Sequence, residues 1–154
     1  MKYTSLKVAA LALGILSACS SHKFTDVSGD PAYVLMMNRA FEVKVELAVF
    51  KTAKGDDQLR VNIPGSPGIP ATLPNVFPYD EGGVFVVGSL PQGSVFKITR
   101  AVRVQSFEND YVGYKAVVVS TGPLQGKEVD PTGLTDRGDI PHFNPAYVSP
   151  VNGE

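Results

Sequence analysis

The alternation of apolar and polar residues between Phe41 and Val49 constrains the fold of this chain more than any other feature. An apolar residue stands at every second position, and mostly charged residues stand between them. Because successive side chains of a strand point to opposite faces of a sheet, this period predicts a half-buried antiparallel strand with one face in water. Turn-forming residues 52–57 follow, and Leu59–Ile63 repeats the alternation. The two segments together predict a β-hairpin.

The rest of the chain is rich in turn-forming residues. Its 154 residues include 12 prolines and 15 glycines, which favours short strands over a helical bundle. Five prolines within residues 64–83 predict a long loop. Further strands are predicted at 84–87, at 95–104 with a bulge or bend near 100–101, at 111–121 and near 129. We therefore expect an all-β fold, a small antiparallel β-barrel of five to six strands.

Two segments are less determined by their patterns. Asp30 and Pro31 fit the start of a helix, but the apolar run in residues 31–39 also fits a buried strand, and we favour the strand. In residues 139–154 a proline recurs every four or five positions, which predicts an extended tail. Phe143, Tyr147 and Val148 would not be left together in water, so we expect them to hold this tail along the barrel surface, or to be kept for a partner.

The N-terminus has the layout of a secretion signal. Lys2 and Lys7 precede an apolar run from Val8 to Leu16, much shorter than the roughly 20 residues that span a bilayer. The sequence Leu16-Ser17-Ala18-Cys19 resembles the lipobox of bacterial lipoproteins. In that family the cysteine thiol is diacylated, the chain is cleaved just before the cysteine, and the new amine is acylated.

This resemblance implies a domain organisation. It makes residues 1–18 a signal peptide and residues 19–30 a lipid anchor at Cys19 with a short polar tether. A single β-barrel domain would occupy residues 31–138, before the tail. Ser20 directly after the cysteine implies sorting to the outer membrane, facing the periplasm, by analogy with enteric bacteria; the alternative is a host that sorts differently or has one membrane.

A second resemblance concerns the barrel. The turn Gly93-Ser94, the apolar strand that starts at Val95 and the long hairpin after it resemble the SH3-like barrels of bacterial envelope proteins. The resemblance covers about residues 84–130. It implies a small barrel that presents loops for binding, but a fold of this kind does not by itself define a function.

The charge balance narrows the classes of partner that this protein can bind. Without residues 1–18, 12 basic residues stand against 15 acidic ones, a formal charge of −3. A mildly acidic body of this kind does not neutralise a run of phosphates, so we expect no nucleic-acid partner. Attachment to the membrane is expected to be covalent, through the lipid at Cys19.

Residues for catalysis are scarce. The only histidines are His22 in the tether and His142 in the tail, and Cys19 is the only cysteine. The sequence therefore lacks the residues for a nucleophilic triad or for a two-histidine metal site. We expect no enzymatic activity, no bound metal and no cofactor. An enzyme based on two carboxylates across a groove is a less favoured alternative.

Aromatic residues offer the better candidate for recognition. Five of them flank predicted turns and loops: Phe77, Tyr79, Phe107, Tyr111 and Tyr114. Such side chains form binding patches on envelope proteins or, alternatively, plug the ends of a barrel. The predicted function is a non-enzymatic envelope lipoprotein that binds a protein or peptidoglycan; the alternative is a periplasmic inhibitor or small-ligand carrier.

Overall fold

The computed structural model describes residues 22–52, 57–81, 83–136 and 140–151. The predictions for residues 1–18 and for Cys19 lie outside these residues. The part of the chain that is described contains ten strands: β1 Lys23–Asp26, β2 Ala40–Val43, β3 Leu47–Lys51, β4 Arg60–Asn62, β5 Tyr79–Glu81, β6 Val84–Leu90, β7 Val95–Gln105, β8 Asp110–Val118, β9 Glu128–Val129 and β10 Val148–Pro150.

The strands form two antiparallel sheets. The first has the order β10-β2-β7-β8-β9, with β1 paired to the far half of β7, and the second has the order β4-β3-β6-β5. The all-β antiparallel prediction is confirmed. The strands form a sandwich of two sheets rather than one closed barrel, and the shared core contains Phe96 and Tyr114 from the first sheet and Leu47 and Val61 from the second.

The predicted strand at 41–49 is divided between the two sheets. Strand β2 pairs with β7, whereas β3 pairs with β4 and β6. At the bend between them, Lys44 donates its backbone N–H to Tyr147 O at 2.8 Å and its Nζ to Pro145 O at 2.8 Å. These contacts turn the chain from one sheet to the other, which is why a single continuous strand was the wrong prediction. The β3–β4 hairpin itself is confirmed, with Val49 opposite Val61.

The long β7–β8 hairpin is confirmed in both position and irregularity. Its register shifts between Ile98 and Arg100, where Thr99 is the extra residue, so the bulge predicted near 100–101 is present. Beyond the bulge the pairing continues without interruption to Gln105 opposite Asp110. The hairpin forms the centre of the first sheet.

The N-terminal and C-terminal segments each supply a strand of the first sheet. The prediction that Phe143, Tyr147 and Val148 attach the tail is confirmed, because Val148 is buried in the core and the other two pack against it. Residues 23–26 of the predicted tether form strand β1 instead, with Lys23 opposite Gln105 and Asp26 opposite Val102. The predicted tail supplies β10, in which Val148 pairs with Val43. Both segments give hydrogen-bond partners to edges that would otherwise expose unpaired backbone groups.

The segment 31–39 is neither the predicted strand nor a long helix. It contains one 3-10 turn, Val34–Met36. Before this turn, the Asp30 carboxylate accepts the backbone N–H of Ala32 at 2.9 Å, and the Asp30 backbone carbonyl accepts the backbone N–H of Val34 at 3.0 Å. Asn38 ends it in the left-handed region, with φ of 63°. The expectation of a strand was wrong because Asp30 and Asn38 favour local turns over ladder pairing.

The predicted loop at 64–83 is irregular until β5 begins at Tyr79. It lies on the second sheet, where Ile69 is buried with Ala48 and Val86, and Leu73 and Phe77 pack against the same cluster. The apolar residues of the loop thus attach it to the sheet. Among the described residues, no buried side-chain nitrogen or oxygen lacks a hydrogen-bond partner.

Candidate functional site

The five aromatic residues predicted as one patch do not form one. Tyr114 is fully buried in the core, and its hydroxyl donates to Pro141 O at 3.0 Å. Phe77 packs into the small cluster of the second sheet, and Tyr79 lies on the edge strand β5 of that sheet. The inclusion of Tyr114 in a surface patch was therefore wrong, since its alternating position on β8 points inward.

Phe107 and Tyr111 remain together, on the β7–β8 hairpin. Phe107 lies in the connecting turn and is fully exposed, and Tyr111 is 48% exposed on β8. Tyr111 lies opposite Val104 of β7, and Val104 lies opposite Phe24 of β1. Directly opposed residues share a sheet face, so Phe24, Val104 and Tyr111 form an apolar row across three strands.

A cleft of about 930 Å³ lies beside this hairpin. Residues from five separate segments of the chain line it, and its walls carry hydroxyl, amide and carboxylate groups together with two tyrosines. The lining consists of Tyr33, Asn62, Arg103, Asn109, Asp110, Tyr111, Val112, Thr132, Gly133, Thr135, Asp136 and Pro141.

An ion pair of the hairpin lies in this cleft. Arg103 donates from Nε to Asp110 Oδ1 at 2.8 Å and from Nη2 to Asp110 Oδ2 at 3.0 Å, and Gln105 Nε2 adds a bond to Oδ2 at 3.2 Å. The hydrogen bonds from Arg103 and then Gln105 lower the pKa of the Asp110 carboxyl, and the bond to Asp110 raises the pKa of Arg103. The pair therefore stays ionised and compensates its own charge at neutral pH.

The opposite wall of the cleft is held by contacts between residues 132–136 and the C-terminal segment. Asp136 accepts the backbone N–H of His142 at 2.7 Å and donates its own backbone N–H to His142 O at 2.9 Å. Thr135 forms an isolated antiparallel bridge with Phe143. At Gly133 a Cβ atom would lie 3.0 Å from Val61 O, so glycine allows this wall to approach β4.

A second, smaller groove of about 300 Å³ lies on the other face of the hairpin. Its apolar side is the row that includes Phe24, Val104 and Tyr111, and its polar side includes Lys115 and Asp130. Lys115 Nζ contacts Asp130 Oδ2 at 2.9 Å. Sequence reasoning found the aromatic residues of this region but missed the groove and the cleft, because both depend on strand pairings between distant segments.

The described residues contain no group of three His, Cys, Asp or Glu side chains placed to hold a metal ion. Across the same residues, no helix is both long and apolar enough to span a bilayer. The described residues thus form a two-sheet all-β domain with an open cleft and a smaller groove beside the β7–β8 hairpin. No protein-family model matches the chain, and neither the curated proteins nor the solved structures that were searched contain a match.

The buried tyrosine gives a prediction about alkaline pH. Burial raises the pKa of the Tyr114 hydroxyl to about 12, compared with about 10 for an exposed tyrosine. Below pH 10 the hydroxyl keeps its proton in both the folded and the unfolded chain. Between about pH 10 and pH 12 only the unfolded chain releases it, so stability is expected to fall as the pH rises.

Urea unfolding at a series of alkaline pH values measures this loss. The Tyr114→Phe variant lacks the titrating group, so its midpoint should decline less steeply than that of the unsubstituted protein. Equal slopes for the two proteins would show that Tyr114 does not cause the alkaline loss.

Proposed function

We propose that this protein is a non-enzymatic lipoprotein of the bacterial cell envelope, anchored through Cys19, whose cleft beside Arg103 and Asp110 binds peptidoglycan. The cleft is the observation that carries the proposal. Two tyrosines, Tyr33 and Tyr111, stand among amide and hydroxyl groups in its lining. Aromatic faces together with fixed hydrogen-bonding groups suit sugar rings and short peptides.

The electrostatics of the cleft agree with this ligand. Arg103 and Asp110 compensate each other, but guanidinium and carboxylate atoms on their outer sides still have hydrogen-bonding capacity. Peptidoglycan stem peptides carry both carboxylate and ammonium groups, so a compensated pair offers each of them a partner. The formal charge of −3 on residues 19–154, with 12 basic against 15 acidic residues, does not favour a strongly anionic polymer instead.

The alternative of a small-ligand carrier has less support. The space between the sheets is filled by buried side chains, of which Phe96, Leu47 and Tyr114 are among the largest. A carrier needs an apolar cavity that encloses its ligand. Binding of a protein partner in the cleft is the second candidate, because the same tyrosines suit a protein surface.

A matched pair of tyrosine substitutions tests the proposal. Tyr111 lines the cleft, whereas Tyr79 lies on the other sheet and is also partly exposed, at 38% against 48%. Tyr111→Ala is expected to weaken binding of soluble peptidoglycan fragments about tenfold, equivalent to about 1.4 kcal/mol. Tyr79→Ala should bind like the unsubstituted protein.

Isothermal titration with purified peptidoglycan fragments measures both affinities. Retention on isolated cell-wall sacculi gives an independent comparison of the two variants. If neither variant binds less tightly than the unsubstituted protein, the cleft is not the site. If the unsubstituted protein does not bind these fragments while an envelope protein can be crosslinked through Tyr111, the protein-partner candidate replaces the proposal.

A further inference from the structure

We propose that Phe107 inserts into the membrane beside the lipid anchor and thereby fixes the orientation of the domain. This inference rests on the proposed lipidation of Cys19. Phe107 is the most exposed of the large apolar side chains in the described residues. A fully exposed phenylalanine ring in the turn of a hairpin is suited to burial in the apolar interior of a lipid bilayer.

The turn that carries Phe107 is held in place. Ser106 donates its backbone N–H to Asn109 O at 2.7 Å, and Asn109 donates its backbone N–H to Ser106 Oγ at 3.1 Å. Next to the turn, the Arg103–Asp110 pair and Gln105 connect the two strands. The ring is therefore presented by an ordered element, which reduces the entropic cost of placing it in a bilayer.

The pairing of β1 places the anchor at the same end of the molecule. Lys23 lies opposite Gln105, two positions before Phe107, so the chain enters the sheet at the tip of the hairpin. Cys19 precedes Lys23 by four residues, which span at most about 14 Å. Acyl chains on Cys19 would hold the bilayer surface within this distance of Lys23, which lies at the tip end of the hairpin.

Further apolar surface continues from the tip. Phe24 of β1 lies opposite Val104 close to the tip, and its side chain is 65% exposed. Glu108 follows Phe107 in the turn, so the insertion is apolar and does not depend on anionic lipids.

Because the chain contains no tryptophan, a single substitution creates a specific fluorescent probe. Phe107→Trp places it at the proposed insertion point. Val119→Trp is the control, because Val119 is exposed and follows β8 at its other end, about 30 Å from the tip for a strand of nine residues. Both variants are prepared as the full lipidated protein and reconstituted in phosphatidylcholine–phosphatidylethanolamine vesicles.

Quenching by lipids brominated along their acyl chains reports the depth of the probe. Quenching in Phe107→Trp is expected to exceed that in Val119→Trp by about threefold or more, since interfacial side chains reach about 5–10 Å into the bilayer. The Phe107→Trp emission should also shift to shorter wavelength when vesicles are added. Replacing part of the lipid with phosphatidylglycerol should change neither result.

Two outcomes would overturn the inference, and they differ in what else they overturn. If mass spectrometry shows acylated Cys19 and the protein floats with the vesicles, equal quenching in the two variants refutes the insertion of Phe107 alone. If Cys19 carries no acyl chain and the protein does not float, the lipoprotein proposal fails and the insertion fails with it.

Discussion

Replacing Phe143 by alanine is expected to lower the free energy of unfolding by about 3 kcal/mol, in the range measured for large-to-small core substitutions. The Phe143 ring lies 4.6 Å from the Phe41 ring, 5.8 Å from the Phe96 ring and 5.7 Å from the Tyr114 ring, between centroids. Phe143 is partly buried against the core, and its removal eliminates all three contacts with rings of the first sheet. Aromatic pairs at these distances stabilise a core beyond their buried area alone.

The loss should extend beyond one side chain. Phe143 bridges to Thr135, and the same segment continues to β10, which pairs with β2. Loosening the ring therefore weakens a strand of the first sheet as well as one wall of the cleft. Urea unfolding followed by circular dichroism measures the change in free energy.

The control is the same substitution, phenylalanine to alanine, at a position that is exposed to solvent. Phe107→Ala removes the same atoms from a fully exposed position, so its unfolding midpoint should match that of the unsubstituted protein. If Phe143→Ala unfolds at the same urea concentration as Phe107→Ala, the C-terminal segment does not contribute to the core.

The local features of the fold could be predicted from the sequence because they depend on neighbouring residues. The apolar alternation in Leu59–Ile63 and before Val49 predicted the β3–β4 hairpin correctly. The turn before Val95 is present, with Gly93 at φ of 85°, where glycine avoids a steric cost. The bulge after Ile98 was also visible, because the alternation changes phase there.

The features that were predicted wrongly depend on contacts between residues that are distant in the sequence. Nothing near Lys44 indicates that the chain changes sheets there; the bend is held by Pro145 and Tyr147, about a hundred positions away. The polar residues of β1 resemble a tether until β7 is known to need a partner at that edge. Loop and tail composition is a weak guide in such cases, since tertiary pairing overrides it.

The candidate site shows the same division. Tyr111 was identified correctly as an exposed aromatic residue of a hairpin, but Tyr33, Asn62 and Thr135 were not connected with it. These residues come together only because β4, the hairpin and the 132–136 segment converge on one cleft. The prediction of Tyr114 in a surface patch was wrong, because the alternation along β8 points this residue into the core.

Asp130→Ala is expected to lower the free energy of unfolding by about 3 kcal/mol, because it leaves a partly buried cation without its partner. Asp130 Oδ2 accepts from Gln58 Nε2 at 2.6 Å and from Lys115 Nζ at 2.9 Å, and Oδ1 accepts from the Thr132 backbone N–H at 3.0 Å. Only 16% of the Lys115 side chain and 19% of the Asp130 side chain are exposed.

The backbone of Asp130 explains why this carboxylate matters for the whole sandwich. Its carbonyl accepts the N–H of Val61 at 2.9 Å, and its N–H donates to Leu59 O at 2.8 Å. Asp130 therefore connects β4 of the second sheet with the end of β9 in the first. Loss of the side chain should weaken the junction of the two sheets, not only one ion pair.

Glu128→Ala is the matched control for Asp130→Ala. Glu128 also pairs with a cation, Arg100, at 2.9 Å, but 49% of each side chain is exposed, and exposed pairs of this kind contribute little to stability. Urea unfolding should therefore separate Asp130→Ala clearly from Glu128→Ala, and the difference should persist at high salt, which screens exposed pairs more than buried ones. A double-mutant cycle with Lys115→Met isolates the pairwise energy. Equal destabilisation by the two alanine variants would show that the burial of the Lys115–Asp130 pair adds nothing to its effect.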